Sequence, residues 1–176
     1  MEKLDESWID QKEDKLRELF FDLYEDYIDQ LPHYQRRKEY LSGLNRLNRS
    51  SLWSCDELNL EVKPGDICYM DFGQVYINEA GYQHFGLVIS NFNYKLFVVP
   101  MTSNRETIRR ARELCSEHLF YIGQLEGLNK PSVLFLNDCK FINSSRVISI
   151  NSYLCPNSAM FKEIENELKM NIFNEV

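Results

Sequence analysis

No run of apolar residues in this 176-residue chain approaches the roughly 18 that a membrane-spanning helix needs. The opening MEKLDESWIDQKEDK lacks the basic-then-apolar order of a secretory signal, so a cytoplasmic protein is expected. A Cys-x-x-C pair is missing too. The five cysteines, Cys55, Cys68, Cys115, Cys139 and Cys155, are odd in number and far apart. That speaks against a disulfide framework or a zinc site and for reduced thiols, with Cys68 in the core. Internal repeats and low-complexity tracts are absent. Hydrophobic residues at 44% beside charged ones at 27% exclude a disordered tail. The length suits one domain, or a small domain with an appendage, that buries a core without covalent staples.

An excess of basic charge is also missing, since the formal net charge is −7. Spread evenly, that balance would argue against a protein that handles RNA. It is not spread evenly: residues 1–31 carry −7, residues 32–63 carry +2 and residues 64–176 carry −2. The acidity belongs mainly to the N-terminus.

From Asp10 to Leu31, Leu16, Leu19, Phe20, Leu23, Tyr24, Tyr27, Ile28 and Leu31 recur at spacings of three and four. This is one face of an amphipathic helix, ended by Pro32. A second helix is expected from His33 to about Asn48, with Tyr34, Tyr40, Leu41, Leu44 and Leu47 on one side and basic residues around it. Two helices meeting at a proline predict a hairpin. The polar segment Arg49 to Val62 reads as a connector, with Trp53 tucked onto a neighbour.

Beyond Lys63 the pattern turns to β. Strands are expected at Asp66 to Phe72, Phe85 to Ser90, Leu96 to Pro100, His118 to Ile122, Ser132 to Leu136 and Arg146 to Ile150. No helix-length segment separates successive strands, which favours a small, bent, mostly antiparallel barrel over βαβ units. Ala159, Met160, Ile164, Leu168 and Ile172 then predict a helix within Pro156 to Asn174. The expected fold is therefore mostly β with flanking helices (α+β), with residues 1–62 a helical extension and connector and residues 63–176 the barrel domain.

Four short pieces in order carry a family resemblance. They are Gly65-Asp66-Ile67-Cys68-Tyr69-Met70-Asp71-Phe72-Gly73, then Gly81-Tyr82-Gln83-His84-Phe85-Gly86-Leu87-Val88-Ile89-Ser90, then Val98-Val99-Pro100-Met101-Thr102-Ser103, and last Ser132 to Leu136 followed by Ser144-Ser145-Arg146-Val147-Ile148. Together they resemble the MazF/PemK family of toxin endoribonucleases over roughly residues 63 to 150. Residues 1 to 62 lie outside it. The resemblance implies an SH3-like antiparallel barrel of the MazF/PemK/CcdB type. It also implies metal-independent cleavage of single-stranded RNA to 2′,3′-cyclic phosphate and 5′-hydroxyl ends, without a cofactor. A cognate antitoxin and a homodimer are the partners it implies.

Where family members resemble Arg-Pro, this chain has His84-Phe85, which moves the acid–base role to an imidazole able to accept or donate a proton near neutral pH. The catalytic set expected from the resemblance is His84, Thr102 and Ser103, the last two as transition-state contacts. Expected RNA contacts are Arg105 and Arg109 from a four-arginine segment, and Tyr82, Gln83 and Phe85 beside the histidine. Each has a plainer reading. His84 is otherwise a structural histidine, as His33 and His118 are read to be; the arginines pair with Glu106 and Glu113 on a solvated turn; the aromatics fill a small barrel. Asp66 caps its turn, and Asp71 either reaches the site or braces a loop. The acidic first helix is a solvated face, a cover over a basic cleft, or a second dimer contact. The alternative to a nuclease is a non-catalytic RNA- or protein-binding barrel. A gyrase poison like the CcdB toxins is disfavoured by the ending Phe173-Asn174-Glu175-Val176, which lacks their aromatic pair.

Overall fold

A computed structural model describes residues 6–113 and 116–173, so Cys115 lies outside the described residues. The chain divides into two compact units, one running to Tyr40 and the other starting at Leu41. Helix α1 spans Glu13–Gln30 and α2 spans His33–Arg49, with Pro32 between them. The proline both breaks the first helix and, one residue ahead of the second, suits its opening turn. Arg36 donates to the carbonyls of Asp29 at 2.9 Å and Leu31 at 3.2 Å, which covers backbone acceptors left open where α1 ends. The Tyr24 hydroxyl reaches the buried Glu39 carboxylate at 3.2 Å and ties the legs of the expected hairpin. Burial and that carboxylate push the phenol up to about 12.

The face of α2 turned inward differs from the expected one. Tyr34, Tyr40, Leu41, Leu44 and Leu47 are all exposed, while Glu39 and Ser42 are buried. For residues 41–49, which belong to the β-rich unit, the reason is the acceptors within that unit. Ser42 and Asn45 donate to Asp71, at 2.9 Å and 3.1 Å, and Arg49 donates to the carbonyls of Ser145 and Val147. On α1 only Ile28 of the apolar stripe is buried, with Phe20, Leu23 and Tyr27 exposed. Residues 41–62 pack as part of the β-rich unit, since Cys55 and Val62 enter one of its cores. Trp53, expected to be covered, is 75% exposed. Its backbone, not its ring, is what ties it down: Glu57 of the capping box that starts at Ser54 accepts from its N–H, and its carbonyl accepts from Asn143.

The sheet is antiparallel throughout. Its strands are β1 (Asp66–Asp71), β2 (Gln83–Phe92), β3 (Lys95–Thr102), β4 (Leu119–Gly123), β5 (Ser132–Phe135), β6 (Lys140–Asn143) and β7 (Val147–Tyr153). Neighbours run β4-β5-β3-β2-β1-β7, and β6 pairs with the first half of β3 while β5 pairs with its end. Among the described residues the two end strands, β4 and β7, do not pair, so the barrel is not closed by hydrogen bonds. The architecture is nevertheless the α+β one expected, with α3 (Arg105–Arg112) and α4 (Ala159–Phe173) flanking seven strands. Strand β6 is additional to the six expected, and the solvated helical turn expected around the arginines extends to the eight-residue helix α3 between β3 and β4, against the expectation that no helix-length segment separates them.

Strands β1 to β3 are buried on both faces. Ile67, Leu87, Val99 and Met101 face a core completed by Phe161, Ile164 and Leu168 of α4. The alternate residues Cys68, Met70, Val88, Leu96 and Val98 face a second core with Cys55, Val62 and Val147. A strand alternates sides at every residue, so these runs read as continuously apolar. One irregularity interrupts the β2–β3 ladder: Val88 pairs with Val98 and Ser90 with Phe97, leaving Ile89 as a bulge.

The turn before β1 requires glycine. Gly65 has φ +93, and a Cβ there would collide with the Leu154 carbonyl oxygen, while its own N–H and C=O bond to Val88 and Leu154. Asp66 accepts from Lys63 N–H at 2.8 Å, the capping role expected of it. Gly65→Ala is expected to lower stability by about 1–3 kcal/mol, read by denaturant unfolding.

No helix among the described residues is long and apolar enough to cross a membrane. Cys55, Cys68, Cys139 and Cys155 are free thiols. Burial, then the Asp66 and Cys55 charges, push the Cys68 thiol up to about 12. At pH 8 a thiol reagent is expected to label exposed Cys155 first and Cys68 only on unfolding, as read by mass spectrometry. The raised value also has a sign. Keeping Cys68 neutral favours the fold fully below the ordinary thiol value near 9, and that contribution is lost as pH rises toward 12.

Candidate functional site

The alternation that builds the cores also builds a cavity. His84 follows Val88 and Gly86 on one face of β2, and Thr102 follows Val98 and Pro100 on the same face of β3. Phe85 pairs with Met101, so the next position of that register sets His84 against Thr102. Directly opposed residues in an antiparallel ladder have Cβ atoms about 5 Å apart. Both side chains line one cavity of about 550 Å³, together with Tyr82, His118, Phe135, Asn137 and Asp138. The loop from Val75 to Gly81 forms the rest of its wall.

That loop is pinned at both ends. Phe72 N–H donates to the Tyr82 carbonyl and Tyr82 N–H donates to the Gly73 carbonyl, each at 2.7 Å. Ala80 N–H donates to Asp138, whose other oxygen pairs with Lys140 at 2.7 Å. Gly81 packs so tightly on Val75 that a Cβ would overlap its side chain. Asp71, 2% exposed, takes the bracing role. It accepts from Ser42 and Gly73 on one oxygen and from Asn45 and Gln83 on the other, at 2.8 to 3.1 Å. Arg146 donates to its carbonyl at 3.2 Å.

The expected site residues separate into groups. His84 and Thr102 meet in the cavity, and Tyr82 lines it in a left-handed conformation with φ 58. Ser103 is exposed just beyond it. Gln83 is committed to Asp71, and Phe85, on the other face of β2, packs on the α4-side core and against the Tyr69 ring at 5.2 Å. Arg105 is exposed in the first turn of α3. Arg109 pairs with both Glu106 and Glu113 at 2.6 Å, and its hydrogen bond holds the Glu106 carboxyl below the usual range.

Helix α3 is capped by Asn104, whose side-chain oxygen accepts from Glu106 and Thr107 N–H. The Thr102 Oγ1 accepts from Asn104 N–H at 3.2 Å, so it joins the cap to the cavity and keeps its own proton for donation. Ala111 and Ile108 of α3 pack on Leu119, Val133, Tyr121 and Phe135, beside the cavity wall. Arg112 lies over the Tyr121 ring and donates to its hydroxyl at 2.8 Å.

His118, expected to be structural, lines the same cavity as His84. It stands just ahead of β4, and its carbonyl accepts from Leu136 N–H at 2.8 Å. Nothing local signals this, because it follows from pairing β4 with β5. Chemically, the cavity offers two imidazoles, the hydroxyls of Thr102 and Tyr82, and the amides of Asn78 and Asn137. Glu79 and Asp138 are its carboxylates, and among the described residues no arginine or lysine lines it. Among the described residues no group of three His, Cys, Asp or Glu side chains is placed to hold a metal ion.

No family model matches the chain, and no curated protein matches it by sequence. Solved structures similar to it include an endoribonuclease from a mycobacterial species in complex with its cognate antitoxin, at 14% identity and a TM-score of 0.46, covering 64% of this chain and 96% of that one. MazF from Deinococcus radiodurans is similar at 14% identity and 0.48, covering 62% and 94%. The toxin MazF-mt6 of Mycobacterium tuberculosis is similar at 16% and 0.40, covering 62% and 93%.

Proposed function

We propose that the chain is an endoribonuclease of the MazF/PemK type, the toxin of a type II toxin–antitoxin module, cutting single-stranded RNA without a metal ion. One observation carries the reading: His84 and Thr102, drawn from separate motifs of the resemblance, line one cavity on one sheet face. The ribose 2′-hydroxyl attacks the adjacent phosphorus, and His84 is the acid–base group at that step. Thr102 donates its hydroxyl proton to a phosphoryl oxygen as charge builds there. Tyr82 lies where an unpaired base can stack. Arg105 and Ser103, exposed beside the cavity, are placed to meet the flanking backbone.

The test is to incubate the purified chain with single-stranded RNA and map both ends of each break. Cyclic phosphate and 5′-hydroxyl ends are expected, unchanged by chelator. Intact RNA would sink the reading. A cytoplasmic homodimer neutralised by an antitoxin belongs to the same proposal, and light scattering with and without co-expressed antitoxin checks it.

A second reading is favoured by the cavity's charge. Among the described residues its lining holds Glu79 and Asp138 but no arginine or lysine, and Arg109 of α3 is engaged with acids. A barrel that binds RNA or a protein without cutting it would suit that balance. Binding without scission in the same assay identifies it.

A further inference from the structure

We propose that His118 is the second acid–base group of this cavity, the one that protonates the departing 5′-oxygen; this rests on the nuclease reading above. The demand comes from the chemistry. In an in-line displacement the attacking 2′-oxygen and the departing 5′-oxygen lie on opposite sides of phosphorus, so one imidazole does not reach both in the same step. Two groups brought to one cavity from separate strands can.

The fold supplies that arrangement. His84 and Thr102 come from β2 and β3, while His118 comes from the start of β4, and the sheet order places β5 and β3 between β4 and β2. All three residues nonetheless line one cavity of about 550 Å³. His118 is anchored through its carbonyl to Leu136, which puts it on the wall that continues into Asn137 and Asp138. In the nuclease reading His84 has the proton transfer at the 2′-hydroxyl, so His118 is assigned the acid role and His84 the base role.

The step balances. His84 takes the 2′-hydroxyl proton as the 2′-oxygen bonds to phosphorus. The bond from phosphorus to the 5′-oxygen breaks with its electron pair on oxygen, and the His118 imidazolium supplies the proton that completes the 5′-hydroxyl. One proton is taken and one given, and solvent exchange restores both rings.

The experiment uses the full chain and two versions of an oligonucleotide carrying its mapped cleavage motif. One has the normal 5′-oxygen at the scissile phosphate and the other a bridging sulfur, which leaves as a thiolate without needing a proton. His118→Ala is expected to slow the oxygen substrate about 100- to 10,000-fold, yet to cut the sulfur substrate within about tenfold of the unmodified chain. His84→Ala is expected to be slow on both, and His33→Ala, exposed on α2, to match the unmodified chain. His118→Gln, which keeps the side chain's bulk, must behave as the alanine variant does, with circular dichroism showing both folded. Full-rate cutting of the oxygen substrate by either His118 variant overturns the assignment and leaves the nuclease reading standing. Equal loss on oxygen and sulfur does the same. Intact RNA with the unmodified chain overturns both.

Discussion

Replacing His84 with alanine is expected to slow RNA scission about 100- to 10,000-fold while the chain stays folded. Initial rates on end-labelled RNA measure the first part, and circular dichroism the second. The separation is expected because His84 is half-buried at the mouth of a strand and belongs to neither apolar core, whereas its neighbours Gly86 and Val88 do the packing on that face. His84→Gln keeps a hydrogen-bonding side chain of similar reach without a group that titrates near neutral pH. It is expected to be as slow as alanine if proton transfer is the role, and to recover much of the rate if the ring merely positions RNA. Cleavage at the original rate in both variants would remove His84 from the mechanism.

Asp71→Ala is expected to cost about 3–5 kcal/mol, a larger stability loss than that of Gly65→Ala, read by urea or guanidinium titration. The carboxylate is buried and accepts four donors from three segments: Ser42 and Asn45 of α2, Gly73 of the loop, and Gln83 of β2. Truncation leaves all four donors without this acceptor, the Ser42 hydroxyl in a fully buried position. Asp71→Asn is expected to recover only part of the loss. One amide oxygen still serves two donors, but the amide nitrogen then faces another two. Because Gln83 immediately precedes His84, the same variants are expected to lower cleavage as well. A double-mutant cycle with Ser42→Ala should give a coupling well above zero, since the two side chains share one hydrogen bond.

The parts of this fold that were legible in the sequence are those where local pattern and tertiary packing agree. Strands β1 to β3 read clearly because each residue of Ile67-Cys68 or Val98-Val99 meets a core, one on either side. Helix α4 was legible from Ile164 and Leu168, which are buried, although Ala159 and Ile172 of the expected face are exposed and Phe161 fills the core in their place. Where polar contacts decide, the sequence misled. The apolar side of α2 is exposed and its Ser42, Asn45 and Arg49 side points inward, since those donors answer acceptors far away in sequence. Strand β6 escaped notice because four residues, two of them Lys140 and Asn143, carry no alternation to read. Of the residues that the motifs singled out, His84 and Thr102 line the cavity, but Phe85 and Gln83 were grouped with them by proximity in sequence, which a strand turns into opposite faces. His118 was missed for the converse reason: it reaches the cavity through a pairing between β4 and β5 that no local pattern announces.

The surplus residue in the β2–β3 ladder has a reach well beyond its own position. The hairpin is closed by the two-residue turn Asn93-Tyr94, both with positive φ, which pairs Phe92 with Lys95. Were Ile89 paired like its neighbours, counting outward from that turn would set Thr102 opposite Phe85 and His84 opposite Ser103. Because Ile89 is left out of the pairing, the count is shifted by one, and an imidazole rather than a phenyl ring meets the hydroxyl. Five residues separate the bulge from His84, about 17 Å of strand. The identity of the group at the heart of the cavity is thus a matter of parity, set by a single isoleucine that never touches the chemistry.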